Sequence, residues 1–291
     1  MRTRIILIGL FSGLLFGIAT PFSKIILSEL NSFQLAGLLY LGAALAFLPF
    51  VIKNKKTELS ALRKSGRKLH LTGIIISGGI LGPLFLMMGL KTANAMSVSV
   101  WLNMELVATA ILGILIFKDH LDRYAILGII LTLVAGILVS LQEPVSGLIS
   151  AIFIILACIF WGLDNHLSAI IDEVSARTIT FIKGIIGGMT NLTIGLILTN
   201  GQIQFNYILP AISVGIFSYG ISIVLYVYTA QNIGATRGQI LFSTAPFWGI
   251  IAAWIFLGEP LSIIILASLI LLIAGVVFIN LSSHKIGRAH V

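Results

Sequence analysis

Long apolar runs separated by short polar segments dominate the pattern of this chain. Each run is about 20 residues long, which is the length that an α-helix needs to cross a hydrocarbon core of about 30 Å. Ten runs can be read from the sequence: 5–27, 32–52, 70–90, 95–117, 124–141, 147–171, 176–198, 207–230, 236–257 and 261–281. The pattern therefore predicts ten membrane-spanning helices.

The runs lack the strict alternation of apolar and polar residues that is typical of outer-membrane barrel strands. In lipid, the backbone of each run satisfies its own hydrogen bonds as a helix, so we expect an all-α polytopic protein. The first run is too long for the apolar region of a signal peptide and is predicted to remain as a span. Composition agrees, because only 10% of the 291 residues are charged, whereas soluble proteins have about 25%.

The formal net charge of +8 would be compatible with nucleic-acid binding, but the positions of the charges favour a topology signal. Seven basic residues follow the second run, namely Lys53, Lys55, Lys56, Arg63, Lys64, Arg67 and Lys68. Other basic residues precede the first run or follow an even-numbered run, and so fall on the same side of the membrane: Arg2, Arg4, Lys118, Arg123, Arg177, Arg237 and Lys285. By the positive-inside rule, both termini are predicted to face the cytoplasm, in the inner or plasma membrane, with no nucleic-acid partner.

The two halves of the sequence match each other. Phe16-Gly17 in the first run corresponds to Trp161-Gly162 in the sixth, and the segment 89–121 parallels 229–261. In both copies of the longer match an acidic residue, Asp119 or Glu259, closes the fourth run of its half. Each unit, 5–141 and 147–281, holds five runs, and an odd number forces the second unit to enter from the opposite side. The sequence therefore predicts two inverted five-helix repeats.

These features resemble the EamA-type domains of the drug/metabolite transporter superfamily. Shorter segments resemble a bacterial or archaeal EamA subgroup: Asn103-Met104-Glu105, Trp161-Gly162-Leu163-Asp164-Asn165 and Lys183-Gly184. The resemblance covers residues 5–281 and implies a central cavity between the halves, lined mainly by helices 1, 3, 4, 6, 8 and 9, that opens alternately to either side. One departure is that helix 9 has the expected Ala245-Pro246, whereas helix 4 has Glu105-Leu106, a carboxylate in place of a helix break.

Three ionisable residues stand out inside the apolar runs, where a charge costs roughly 3 kcal/mol or more and is a functional candidate by default. Asp164 and Lys183 flank a turn near Val174 at about equal distance, so antiparallel helices would bring them within reach of an ion pair. Such a pair either holds two helices together or takes part in transport. Glu105 has no partner evident in the sequence and is the first choice for binding a cationic group or carrying a proton.

Further candidates for substrate binding or coupling are the polar and aromatic residues Trp101, Asn103, Trp161, Asn165, Asn191 and Tyr219. His166, Tyr226 and Arg237 rank lower, since side chains of these kinds in a span more often bond a neighbouring helix or, for Arg237, set the topology. The single cysteine, Cys158, cannot form an internal disulfide. No zinc-binding His-Glu-x-x-His motif is present, and we expect neither a metal nor a cofactor.

The sequence predicts a secondary active transporter, or permease, that moves a small metabolite across the cell membrane by alternating access. Protons are the candidate coupling ion, and export of amino-acid-like or amine compounds is favoured by family analogy alone. The absence of a Walker loop argues against ATP hydrolysis by this chain. A channel or a non-transporting sensor is the first alternative, and an intramembrane enzyme is the least favoured. Assembly as a homodimer stays open.

The last residues, 286–291, match one reading frame of a common sequencing adapter and are interpreted as a non-native tail.

Overall fold

The computed structural model describes residues 2–117 and 122–283, and within them all side chains except those of residues 2, 125, 146 and 279–283. Lys118, Asp119, Lys285 and the tail 286–291 lie outside the described residues, as do the predictions made on them. The α-helices are α1 (Arg2–Gly17), α2 (Ala19–Ile26), α3 (Ser32–Lys53), α4 (Lys55–Lys64), α5 (Lys68–Ile74), α6 (Gly82–Thr92), α7 (Ala95–Trp101), α8 (Met104–Leu115), α9 (Arg123–Ser140), α10 (Val145–Ile170), α11 (Ala176–Leu198), α12 (Ile208–Val214), α13 (Ser222–Ile233), α14 (Ala235–Phe242), α15 (Ala245–Leu257) and α16 (Ile263–Ser283). A π-helical segment at Ile75–Leu81 joins α5 to α6, another at Gly215–Ile221 joins α12 to α13, and a 3₁₀ turn at Phe205–Tyr207 precedes α12.

Eight helical stretches in the described part of the chain are long and apolar enough to cross a membrane. They are Thr3–Ile26, Ser32–Lys53, Lys68–Thr92, Ala95–Leu115, Gly147–Ile170, Ala176–Leu198, Phe205–Ile233 and Ala235–Leu257. Two shorter apolar helices, Ile126–Ser140 and Ile263–Phe278, occupy the positions of the fifth and tenth predicted runs. The protein is therefore an all-helical, multi-pass membrane protein over the residues described.

The outer surface of the helices carries large apolar side chains. Leu7, Phe11, Ile137, Trp254 and Ile270 are each more than half exposed. Soluble monomers rarely leave so much apolar area in contact with water. In lipid, exposing apolar side chains carries no such cost. The exposed apolar side chains therefore mark the surface that faces the lipid.

Three of the spans are interrupted near their middle. Numbered as the predicted runs, the first breaks at Ile18, the fourth at Leu102 and Asn103, and the ninth at Ser243 and Thr244. The break in the fourth span corrects the expectation that Glu105 replaces one there. A break needs no proline where neighbouring groups satisfy the backbone, and here the Asn103 N–H donates to the Val100 carbonyl at 3.1 Å.

The irregularities of the two halves recur at one spacing. The π-helical segments begin at residues 75 and 215, and α7 and α14 begin at 95 and 235, so both pairs are 140 residues apart. The sequence match that starts at residues 89 and 229 has the same offset. Packing between the halves also follows corresponding helices, since α3 contacts α11, α9 contacts α16, α1 contacts α13 and α15, and α10 contacts α6 and α8.

Glycines allow the first span to approach the ninth closely. Gly9, Gly13 and Gly17 all lie on the face of α1 that meets α14 and α15. A Cβ added at Gly13 would come within 2.9 Å of the Phe242 carbonyl oxygen, which is closer than real contacts allow. This contact places Phe16, also on α1, against the centre of the molecule.

Candidate functional site

A small cavity lies where helices of both halves meet, near the interruptions of the spans. Its walls come from α1, α3, α8, α10, α11, α13 and α14, and its lining residues are Phe16, Tyr40, Glu105, Trp161, Asp164, Asn165, Lys183, Ile223, Tyr226 and Phe242. The space open to the centre of a water molecule is about 30 Å³. This volume holds one or two waters, so the cavity as it stands has too little space for a metabolite.

The ion pair predicted from the sequence is present in this cavity. Lys183 Nζ donates to Asp164 Oδ2 at 2.6 Å, and the two side chains are only 2% and 6% exposed. The second carboxylate oxygen of Asp164 accepts from Ser168 Oγ at 3.2 Å. A Cβ at Gly78, in the first π-helical segment, would overlap the Asp164 carboxyl group. The pair thus joins α10 to α11, and a glycine of the third span leaves room for it.

Glu105 lies in the first turn of α8, directly after the break in the fourth span, and is 5% exposed. Its Oε1 accepts a hydrogen bond from Asn165 Nδ2 at 2.9 Å. The same amide nitrogen lies 3.1 Å from Thr109 Oγ1 and 3.2 Å from Gln239 Oε1. Among the residues that the structure describes, no ion pair to Glu105 is present. Glu105 is therefore a buried carboxyl group held by an amide rather than by a cation.

Aromatic rings form the rest of the wall. The Phe16 ring lies 5.7 Å from the Trp161 ring and 5.0 Å from the Phe242 ring, measured between centroids, and Tyr226 lies 5.0 Å from Phe242. The Phe16–Trp161 and Tyr226–Phe242 pairs are edge-to-face, an arrangement that stabilises packing beyond the area buried. The Tyr226 hydroxyl group is buried and has no hydrogen-bond partner in the described part of the chain.

The structure brings together some of the residues singled out from the sequence and separates others. Glu105, Asp164, Lys183, Trp161 and Asn165 line the cavity. The other four candidates lie outside the lining, and each has a different environment.

Trp101 bonds a neighbouring helix, since its Nε1 donates to the Gly136 carbonyl and to Ser140 Oγ, both at 3.1 Å. Asn191 Nδ2 donates to the Ile80 carbonyl in the first π-helical segment at 3.1 Å. These contacts join helices without reaching the cavity.

Asn103 and Tyr219 are buried, and their side-chain polar atoms have no partner among the described residues. Tyr219 packs behind Phe16 with a centroid distance of 5.4 Å. His166, ranked lower from the sequence, bonds the Thr109 carbonyl at 2.8 Å and stacks on Phe117.

Sequence reasoning missed Phe16, Tyr40, Ile223 and Phe242 as lining residues and undervalued Tyr226. It also missed Gln239, which contacts Asn165. A glutamine inside an apolar run was a usable signal, because polar side chains in spans face the protein interior. Phenylalanine and isoleucine carry no such signal, since they are as common on the lipid surface.

Contacts between the halves close the molecule beyond both ends of the cavity. At one end, the Glu259 carboxylate accepts from the backbone N–H groups of Ala95 and Met96 at 2.7 and 2.8 Å. At the other, Arg67 pairs with Glu173 at 3.6 Å and donates to the Ile170 carbonyl. Over the described residues, no group of three or more His, Cys, Asp or Glu side chains could hold a metal ion.

Comparison with known proteins agrees with a transport protein. The chain is 29% identical over 282 residues to an uncharacterized transporter of Methanothermobacter thermautotrophicus, covering 90% of this chain and 81% of that one. A solved crystal structure aligns with 98% of this chain and 100% of its own at a TM-score of 0.71 and 15% identity, so the two share a fold. The family model of EamA-like transporters matches residues 3–141 and again 148–281. The chain belongs to the EamA-like transporter family.

Proposed function

We propose that the protein is a secondary active transporter that carries a small metabolite across the cell membrane by alternating access. The observation that carries the proposal is the small cavity, in which two carboxyl groups and an amine lie buried deep within apolar helices. Ionisable groups at this depth cost several kcal/mol and mark substrate or ion pathways in membrane proteins. Membership of a transporter family supports the same function.

The architecture proposed for this cycle is ten spans arranged as two inverted repeats, 5–141 and 147–281. The common offset of 140 residues between irregular segments supports it, as does the packing of α3 on α11 and of α9 on α16. The 18 residues of α9 extend about 27 Å at 1.5 Å per residue, close to the thickness of a hydrocarbon core. Inverted repeats can rock against each other around a fixed central site.

The size of the cavity requires a conformational change for any metabolite to bind. Breaks at the middle of the first, fourth and ninth spans, and π-helical segments in the third and eighth, provide points at which helices can bend. We propose that the halves separate at one end at a time, breaking either the Glu259 contacts or the Arg67 contacts.

We further propose protons as the coupling ion, carried by Glu105 or Asp164. Glu105 supports this because it is buried without a cationic partner in the described structure. The other titratable groups that line the cavity with it are Asp164, Lys183, Tyr40 and Tyr226. A proton or a substrate can satisfy the carboxylate in turn, which couples the two fluxes. Export of amino-acid-like or amine compounds rests on analogy with the superfamily.

The test is a metabolite screen by thermal stabilisation of the purified protein, followed by uptake of each hit into proteoliposomes with and without a pH gradient. A ligand at 100 times its Kd should add about 2.7 kcal/mol. We expect Glu105→Gln to lose the ligand or the coupling, whereas Glu29→Gln, an exposed carboxylate away from the cavity, should behave as the parent.

Other outcomes would favour the alternatives. Flux that does not saturate as the ligand concentration rises, and that a pH gradient does not drive, would indicate a channel. Chemical conversion of the ligand would indicate an enzyme. Ligand binding without flux under any gradient would indicate a sensor.

A further inference from the structure

We propose that the substrate is an organic monocation, a primary amine with an apolar body, whose ammonium group donates to the Glu105 carboxylate and to the Tyr226 hydroxyl oxygen. This proposal rests on the proposed transport function and narrows it to one chemical class. Three independent features of the cavity support it: the balance of charge, the unpartnered hydroxyl group and the apolar walls.

The charge balance comes from three lining residues. Lys183 is paired with Asp164 at 2.6 Å, so these two charges cancel. An ionised Glu105 then leaves the lining with one negative charge that no cation pairs among the described residues, held by the Asn165 amide. An anionic substrate would add a second negative charge in a place of low dielectric constant, whereas an ammonium group supplies the missing counter-charge.

The Tyr226 hydroxyl group indicates which hydrogen-bonding groups the cation carries. It lines the same small cavity as Glu105, is buried, and has no partner among the residues described. Buried hydroxyl groups are normally hydrogen-bonded, so an unpartnered one on a residue that lines a cavity points to a ligand. A primary ammonium group has three N–H donors, which is enough to bond both the carboxylate and the phenol oxygen. A quaternary ammonium group has none.

The remaining walls are apolar and aromatic. Phe16, Trp161 and Phe242 surround the space beside Glu105, and Ile223 completes the wall. Aromatic faces attract cations through the ring quadrupole, most strongly where water is excluded. The body of the substrate therefore contacts apolar side chains when the cavity widens to admit it.

The test uses probes of similar size and different charge. Phenethylamine is a cation, phenylalanine a zwitterion and 3-phenylpropionate an anion, and hexylamine is a cation without a ring. Binding to the purified full-length protein is measured by thermal shift at millimolar concentration, and flux by uptake into proteoliposomes. We expect both amines to bind and to be transported, and neither acid to compete with them.

Two conservative variants distinguish the cavity from general packing. Tyr226→Phe removes the unpartnered hydroxyl group from the cavity and should weaken amine binding by about threefold to tenfold. Tyr219→Phe removes an equally buried and unpartnered hydroxyl group that does not line the cavity, and should leave affinity unchanged. Glu105→Gln should weaken amine binding by more than about tenfold.

Each outcome decides between the two proposals. Transport of phenylalanine or phenylpropionate in preference to the amines would overturn the amine assignment and leave the transport function standing. Amine binding that depends on Glu105 and Tyr226, but without flux, would support the site and overturn the transport function. Failure of both amines to bind, or equal effects of Tyr226→Phe and Tyr219→Phe, would overturn the amine site.

Discussion

The ion pair of Asp164 and Lys183 lies almost completely out of contact with solvent. Removing two charges from water is expensive, and only their mutual attraction offsets the cost. Either residue alone would be a buried unpaired charge. The pair is therefore best tested by removing one partner and then both.

We expect Lys183→Met to destabilise the protein by about 3–5 kcal/mol, because it leaves Asp164 buried without a counter-charge. Unfolding in detergent, followed by circular dichroism, measures the loss. The double variant Asp164→Asn with Lys183→Met should recover part of it. Glu173→Gln is the matched control, since it breaks an exposed pair with Arg67 and should cost less than about 1 kcal/mol. Parental stability of Lys183→Met would contradict the expectation.

Gly78 can be tested in the same way. A methyl group there meets the Asp164 carboxyl group, so we expect Gly78→Ala to destabilise the protein by about 1–3 kcal/mol. In an Asp164→Ala background the methyl group has space, and the penalty should largely disappear. A double-mutant cycle measures this coupling, and strictly additive effects of the two substitutions would rule out the contact.

Part of this site was accessible from the sequence. The equal distance of Asp164 and Lys183 from one turn was enough to predict the pair, and polarity was enough to select Glu105 and Asn165. The facing residues Tyr226 and Phe242 could not be chosen, because the side of a helix that lines the cavity depends on how both halves pack.

At the scale of elements, helix ends inside a membrane protein need partners, since their terminal backbone groups have none within the helix. Glu259 supplies two acceptors to the start of α7 from the other half of the chain. Lys24 Nζ donates to the carbonyl oxygens of Leu90 and Ala93 at the end of α6, both at 2.8 Å. The junction between the third and fourth spans is thus held by side chains of distant elements.

We expect Glu259→Ala to destabilise the protein by about 1–2 kcal/mol, because the first N–H groups of α7 lose both their acceptors and a favourable negative charge. Glu259→Gln keeps an acceptor and should lose less. In thermal unfolding of the purified proteins, we expect stability to decrease from the parent to Glu259→Gln and then to Glu259→Ala. Glu29→Gln serves as an exposed control. An Ala variant as stable as the control would show that the cap contributes nothing.

Helix positions followed from the apolar runs and the break beside Pro246 was expected, but the other irregularities did not follow from the sequence. The fourth span breaks at Asn103 without a proline, and the π-helical segments carry no sequence signature. Both depend on close contacts formed only in the folded chain. A Cβ at Gly79, for example, would meet the Lys183 carbonyl oxygen at 2.9 Å.

At the scale of the whole molecule, the basic segment around α4 predicts which side faces the cytoplasm. The single cysteine, Cys158, is fully buried, so the parent protein should not react with a membrane-impermeant maleimide. Exposed positions near opposite ends of the spans are available at Lys56 and Gln202.

In intact cells we expect the maleimide to label Gln202→Cys and not Lys56→Cys, because the positive-inside rule puts Lys56 in the cytoplasm. Both variants should react after lysis. The parent should react neither in intact cells nor after lysis. Mass-tag gel shifts measure the labelling. The reverse pattern would invert the proposed orientation.

The neutral pair of Asp164 and Lys183 also determines how such a carrier responds to voltage. Moving one elementary charge through the whole membrane field changes the energy by about 2.3 kcal/mol per 100 mV. Since the pair carries no net charge, the electrical force on an empty cavity acts on an ionised Glu105 alone, and a proton or an ammonium group bound there cancels it. In the proposed exchange Glu105 carries either a proton or an ammonium group at every passage, so both passages are electrically silent, and the membrane potential would drive only a carrier that returned empty.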